Sequence, residues 1–343
     1  MTSIFDPQQL NRPESLNAWN EILLMDMVAA FRDLDEHPDT VFTVLTGEGR
    51  FFSAGADIKG GIETPPPEST AAQTKLFYMR KFSREMELFR SMIDHRKVFV
   101  LALNGPAVGG GAAWFEGIAD IVVAAKGAYM QVPFSSLGLV PEFGAAPTFA
   151  RNIGARRAND FLMFGRKCSV EEMESWGLIN RIFPAEGFHE RVRGFLKEQL
   201  AVNDGKSMME TKRLQNAPLR GERILAMFDA AHALAERFVD GAPVERFRKK
   251  TEQLSKGQPM CFCFVLRSDV GYSECGAWRE DKGLLVELIN RPFTSETASY
   301  YRIMSPICIW TINTYPSKAC KSNPRLWRTT HSRWHERSAA DRQ

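Results

Sequence analysis

No run of 18 apolar residues occurs in this sequence, so a transmembrane helix is not expected. Met1 to Leu10 is polar and carries no apolar signal core, which argues against secretion. The formal net charge is only +3, too small for a protein that binds nucleic acid chiefly by neutralising phosphates. Cysteine is scarce through most of the chain: of six, only Cys168 precedes Gly257. A body with one cysteine reads as intracellular and reducing. Gly-x-Gly-x-x-Gly and Gly-x-x-x-x-Gly-Lys-Ser/Thr are missing, which removes the support for Rossmann and P-loop nucleotide binding. So is Gly-x-Ser-x-Gly, the nucleophile elbow. Cys261-x-Cys263 is too tight for a zinc knuckle and has no second pair, and no metal site is expected. His95, His189 and His232 stand alone and read as ordinary core or surface histidines. No internal repeat or heptad seam appears. What remains is ordinary globular composition, 44% hydrophobic and 25% charged, which excludes wholesale disorder, collagen and coiled coil.

Helix and strand signals alternate along the first part. Leu16 to Leu34 has a helical apolar stripe, stopped by His37-Pro38-Asp39, because proline lacks an amide donor and restrains its predecessor. Val41 to Leu45 reads as a buried strand and Phe51 to Ala54 as a second short apolar run. Three consecutive prolines mark Glu63 to Thr70 as a solvent loop. Leu76 to Ile93 reads as one helix, Val98 to Leu103 as a nearly all-apolar strand, Ala112 to Ile118 as a short helix and Ile121 to Ala124 as a strand. That order points to α/β layering with crossovers. From Arg151 onward helices dominate: Ala155 to Phe164, Val170 to Trp176, Phe188 to Val202, Ser207 to Gln215, Arg220 to Asp240 and Val244 to Leu254.

Two glycine-rich loops stand out, Phe52-Ser53-Ala54-Gly55-Ala56-Asp57-Ile58-Lys59-Gly60 and Asn104-Gly105-Pro106-Ala107-Val108-Gly109-Gly110-Gly111. Each follows a strand-like run, and the second opens a helix. Taken singly, either reads as a tight turn. Taken together, they offer two free backbone amides that can converge on one developing oxyanion.

The ordered set of motifs extends well beyond the loops. It begins with Asn11-Arg12-Pro13 and Leu16-Asn17, includes both loops and Ala119-Asp120-Ile121, and continues through Pro133-Phe134 and Leu137-Gly138-Leu139-Val140-Pro141-Glu142. Gly165-Arg166 and Trp176-Gly177-Leu178-Ile179-Asn180 complete it. In these stretches Met1 to Lys256 resembles the enoyl-CoA hydratase/isomerase (crotonase) superfamily. The resemblance implies an α/β fold, a crotonase-like spiral of ββα units, with residues 1–200 as catalytic core and 201–256 as a C-terminal helical trimerisation region. It implies an acyl-CoA thioester substrate, a homotrimer or homohexamer, and no cofactor beyond the coenzyme A that belongs to the substrate. Nucleic acid and membrane are not expected as partners. Carried over residue by residue, the thioester oxygen meets the amides of Ala56 and Gly110. Ala54, Asp57, Ile58, Lys59, Phe134 and Leu139 fall at substrate-binding positions.

The hydratases this chain resembles use two glutamates. Their places here hold Ala113 and Phe134, which cannot move protons. Two carboxylates remain nearby. Glu142 matches the position of the single glutamate in Δ3,Δ2-enoyl-CoA isomerases. Glu116 follows Ala113 by three residues and reads as a possible secondary carboxylate or as a helix-end residue. Moving a double bond from C3 to C2 needs one base that removes a C2 proton and returns it at C4, in a pocket that excludes water. The apolar neighbours Phe134, Leu139, Val140, Phe143 and Ala145 suit such a pocket. A hydratase or related acyl-CoA lyase using Glu142 with an unusual partner stays open, as does a non-catalytic relative that binds acyl-CoA or protein. Asp120 reads as structural. Phe247 to Lys250 form a basic patch, either a solvated helix face or a contact for a neighbouring subunit's ligand.

Nothing after Gly257 resembles the superfamily. Residues 257–343 hold five of the six cysteines, four of the seven tryptophans and four of the six tyrosines. They are expected to be a disordered extension rather than a folded domain. The chain ends Asp341-Arg342-Gln343, which is not a peroxisomal signal, so peroxisome and cytoplasm both stay open as compartments.

Overall fold

The computed structural model describes residues 5–57 and 62–255, with side chains at 10–57 and 62–252. The expectations for Ile58, Lys59 and the segment 257–343 lie outside the described residues. Five parallel strands form the main sheet: β1 (Phe5–Leu10), β2 (Phe42–Gly47), β3 (Val98–Leu103), β5 (Ile121–Ala125) and β8 (Arg181–Phe183), side by side in that order. A second sheet holds β4 (Ala107–Val108), β6 (Tyr129–Gln131) and β7 (Lys167–Ser169), with β6 parallel to β4 and antiparallel to β7.

The path repeats. β2 leads to Ser53, which bridges to Ala107, and then to the helices α2 (Ala71–Lys81) and α3 (Ser83–Ile93). β3 leads to β4 and α4 (Gly110–Ala113). β5 leads to β6, α5 (Ala145–Ile153) and α6 (Ala155–Phe164). Each turn of chain thus adds one strand to the large sheet, one strand or bridge to the small one, and then helix. This is the spiral of ββα units expected from the resemblance. The rest is helical: α7 (Val170–Ser175), α8 (Phe188–Val202), α9 (Gly205–Asn216), α10 (Arg220–Val239) and α11 (Ala242–Ser255).

The central strands are apolar throughout because both faces are covered. Leu45, Phe99, Leu101 and Leu103 face α1 (Glu21–Glu36) and α3, packing on Met27, Val28, Phe31, Leu88 and Phe89. The alternating residues Phe42, Val44, Val98, Val100 and Ala102 meet Phe188, Val192 and Leu196 of α8. Asp120 is structural, as expected: it accepts from the Phe99 amide at 2.7 Å and pairs with Lys212 at 2.8 Å.

Several boundaries differ from the sequence reading. α1 starts at Glu21, not Leu16. Leu16 and Asn17 take left-handed backbone angles, and the Asn20 side chain caps the helix by accepting from the Leu23 amide at 3.0 Å. The single helix expected over Leu76 to Ile93 is two, joined at Phe82, and the first begins earlier at a Thr70/Gln73 capping box. The helix expected over Ala112 to Ile118 is the short α4, already ended at Ala113. β1 went unread because Phe5–Leu10 is polar and contains Pro7; an edge strand tolerates a proline that a central strand would not.

Candidate active site

The two glycine-rich loops lie against each other. Trp19 bridges Ala56 in parallel fashion: the Trp19 amide donates to Gly55 O at 2.9 Å and the Asp57 amide donates to Trp19 O at 3.0 Å. That pattern leaves the Ala56 amide unused, and no hydrogen bond among the described residues takes it up. Ala56 is exposed. Gly110 opens α4, so its amide has no carbonyl of its own helix to meet. The approach is close. Gly55 has φ +84°, and a side-chain carbon on it would stand 2.8 Å from Val108 O and 3.4 Å from the Gly110 nitrogen. Only glycine fits there. The structure therefore brings the two loops together where Gly55 meets Val108 and Gly110.

Asn17 secures the first loop. Its side chain donates to Glu48 O at 2.9 Å and Phe51 O at 2.8 Å and accepts from the Arg12 amide at 2.9 Å, while its carbonyl accepts from Ser53 Oγ at 2.8 Å. This accounts for the Asn-Arg-Pro and Leu-Asn stretches as loop anchors. Ala54 is tied by its amide to Leu16 O at 2.9 Å, and Asp57 pairs with Arg12 at 3.1 Å.

Glu142 sits on the turn before α5. It is oriented by a residue that the sequence reading missed. The Trp114 indole N–H donates to Glu142 Oε2 at 2.8 Å. Trp114 is itself fixed: it stacks on Trp19 at 5.0 Å and 9°, meets Phe143 edge-on at 5.4 Å, and lies so near Gly110 that a side-chain carbon there would stand 2.8 Å from the ring. The indole thus packs against Gly110 on one side and donates to the carboxylate on the other. Phe143 has φ 45°, a left-handed angle unusual for an aromatic residue, so the turn is strained beside Glu142. Although the residue is not wholly covered, burial pushes the Glu142 carboxyl up to about 7; the Trp114 bond pulls it back, and the charge of Glu85 adds to the rise.

Ala113 and Phe134 are both buried in the apolar core, and Leu139 packs partly buried against it. Neither hydratase position can transfer a proton. Glu116 lies beyond the end of α4, so it does not share a helix with Ala113 as the spacing suggested. It is buried, accepts from Asn152 Nδ2 at 3.0 Å through Oε1, and has no partner for Oε2 among the described residues. No hydrogen bond among the described residues joins Glu116 to Glu142: the first turns to Asn152 and the second to Trp114. Arg248 and Lys249 of the basic patch are occupied within α11, by Glu252 and Glu245, each at 2.5 Å. Among the described residues no three His, Cys, Asp or Glu side chains gather as a metal site, and no helix is long and apolar enough to cross a membrane.

Glu116 yields a stability prediction. Burial pushes its carboxyl up to about 7 from the ordinary 4.5. The native state then binds the proton more tightly than the unfolded chain. Stability is intact below pH 4.5 and is lost progressively as pH rises to about 7. Glu116→Gln keeps an acceptor for Asn152 and removes the ionisation. At pH 8 it should be more stable than the parent by on the order of 2–3 kcal/mol, with little difference near pH 4. Urea unfolding at both values, at matched protein concentration, checks this.

The sequence profile of the enoyl-CoA hydratase/isomerase family matches residues 8–253. The chain is 30% identical over 253 residues to a Δ(3,5)-Δ(2,4)-dienoyl-CoA isomerase of Pyricularia oryzae, covering 68% of this chain and 88% of that one. It is 29% identical over 253 residues to the 3,2-trans-enoyl-CoA isomerase of Saccharomyces cerevisiae, covering 70% and 88%. Among solved structures, an enoyl-CoA hydratase/isomerase from Pseudoalteromonas atlantica superposes with a TM-score of 0.61 at 24% identity, over 75% of this chain and 95% of the other, a likeness of fold.

Proposed function

Because the chain belongs to the enoyl-CoA hydratase/isomerase family, whose members are enzymes acting on acyl-CoA thioesters, we propose that it isomerises a 3-enoyl-CoA to a 2-enoyl-CoA. One observation carries this reading. Glu142 accepts from the indole of Trp114, whose ring packs against Gly110 of the second loop, while both hydratase positions are apolar core. In the proposed reaction the thioester oxygen accepts hydrogen bonds from the Ala56 and Gly110 amides. The Glu142 carboxylate takes a proton from C2, and the C–H electron pair moves into the thioester as an enolate. The same group then returns a proton at C4. Trp114, Phe134, Leu139 and Phe143 keep water from the enolate, and a carboxyl of pKa about 7 is matched to taking and returning a proton near neutrality. Ala54 and Asp57 line the loop along which the thioester enters. Coenzyme A arrives as part of the substrate, so this reading calls for no separate cofactor. An intracellular compartment, peroxisome or cytoplasm, accords with it.

Product mass tests the reading. Incubation with a 3-enoyl thioester should give a conjugated product of unchanged mass. A product heavier by one water would favour a hydratase instead.

We also propose that the chain assembles as a trimer or a dimer of trimers. Leu225 and Phe228 of α10 are 63% and 45% exposed in the single chain, large apolar groups for which association provides cover. Sedimentation of a stable monomer at micromolar concentration would reject this.

A further inference from the structure

Residues of α3, α5 and α10 surround a cavity of about 20 Å³ behind the turn that carries Glu142. Phe143 and Gly144, which follow Glu142 directly, form one wall. Thr148 and Arg151 of α5 and Arg223 of α10 supply polar groups. The packing around it is close. A side-chain carbon on Gly117 would stand 2.2 Å from Thr148 Cγ2, and one on Gly144 would stand 3.6 Å from Ala226 Cβ. A space of roughly 10–15 Å³ holds one water, so this cavity suits a single small body.

Arg223 is the unusual member of the lining. Its guanidinium donates to Asn216 Oδ1 at 3.2 Å and to Gly117 O at 3.4 Å, two neutral acceptors at long range for a cation. Its Nε is buried and finds no acceptor among the described residues. The nearby carboxylates are engaged elsewhere. Asp120 pairs with Lys212 at 2.8 Å and accepts from Asn216 at 3.1 Å, and Glu222 pairs with Arg151 at 2.6 Å. Glu222 is also 55% exposed, so water screens its charge. Arg151, Lys212 and Arg223 thus share only two carboxylates, and Arg223 is the cation without an ion pair among the described residues. Burial disfavours its charge and Arg151 adds to that, while Asp120 and Glu222 offset a part. A guanidinium does not shed its proton in a protein, so the charge stays. A water molecule would satisfy the Nε hydrogen and leave the charge unbalanced. An anion answers both.

We propose that this cavity is a binding site for one small monovalent anion of chloride size, held by Arg223 with Arg151 and the Thr148 hydroxyl around it. The anion ties α10 to α5 across the back of the Phe143–Gly144 turn and stabilises the folded chain. It touches no reacting atom, and the proposal stands whether or not the isomerase reading does.

The experiment melts the full chain in sodium gluconate, an anion too bulky for the cavity, while chloride replaces gluconate at constant ionic strength. Constant ionic strength keeps the screening of surface charge the same throughout. A ligand that binds the folded state alone raises the melting temperature along a saturating curve. Between no chloride and about 0.2 M the expected rise is about 2–4 °C. Arg223→Met keeps an unbranched stem and removes the charge, and its melting temperature should not respond to chloride. No response in the wild type overturns the proposal, as does an equal response in the two proteins. A second measurement needs no variant and decides the matter if Arg223→Met does not fold. In wild-type crystals grown in bromide, the anomalous signal should show one bromide in the cavity, at hydrogen-bond distance from Arg223. Bromide sites only on the surface would overturn the assignment.

Discussion

Replacing Glu142 by glutamine is expected to lower isomerase turnover by roughly 100-fold or more while thioester binding changes little. Glutamine keeps the size of the side chain and an oxygen that can still accept from the Trp114 indole, which now stands 2.8 Å from Glu142 Oε2. What it loses is basicity. The two loop amides and the rest of the pocket remain, so KM should stay near the parent value and the loss should fall on kcat. The pH profile gives the same result another form. With its carboxyl raised to about 7, Glu142 takes up a proton as pH falls through that value, and wild-type turnover should fall with it. Trp114→Phe keeps the ring that stacks on Trp19 and removes the donor. Loss of a bond that favours the charged form should move this acid limb to higher pH, with a milder fall in turnover of about 10-fold. Stopped assays across the pH range on folded, assembled protein check both variants. Near-normal turnover in Glu142→Gln would remove this carboxyl from the chemistry.

The loops were legible in the sequence because glycines and prolines punctuate the chain where its backbone must turn tightly, whereas Glu142 was picked out only by its resemblance to the single glutamate of Δ3,Δ2-enoyl-CoA isomerases. Gly55 and Gly110 are needed by contacts of 2.8 Å that any side-chain carbon would make. The buried strands and the long helices were legible from apolar period. The helix starts were less so. Leu16 continues the apolar stripe of α1, yet its backbone is left-handed and it lies outside the helix. Trp114 carries no motif. A tryptophan in an apolar run reads as core. It acquires its chemical meaning only when the fold turns it toward Glu142, from 28 positions along the chain. Glu116 shows the opposite failure. Its spacing from Ala113 suggested a shared helix, but α4 ends at Ala113 and Glu116 turns instead to Asn152.

Removing the Gly110 amide donor should cost 100- to 1000-fold in turnover, about 3–4 kcal/mol of barrier, the scale measured when one oxyanion donor is lost. Proline is the obvious way to delete an amide hydrogen, and the structure argues against it here. Any side-chain carbon at Gly110 would stand 2.8 Å from the Trp114 ring, and displacing that ring would also displace the donor to Glu142. A proline variant would then report two losses at once. Replacing glycine by glycolic acid, which turns the amide into an ester, removes the N–H without adding an atom to the side chain. The same exchange at Ala56, with lactic acid, tests the other donor. The Ala56 amide takes no part in the Trp19 bridge, whose bonds use the amides of Trp19 and Asp57, so its loss should leave the loop in place. Because the two amides would act on one oxygen, the single replacements should each weaken stabilisation of the enolate more than binding of the neutral thioester. Expected, therefore, is a fall in kcat larger than the rise in KM for each. Ester variants that keep full turnover would show that the thioester oxygen lies elsewhere. A loss confined to Gly110 would leave α4 as the single donor and Ala56 as a structural neighbour.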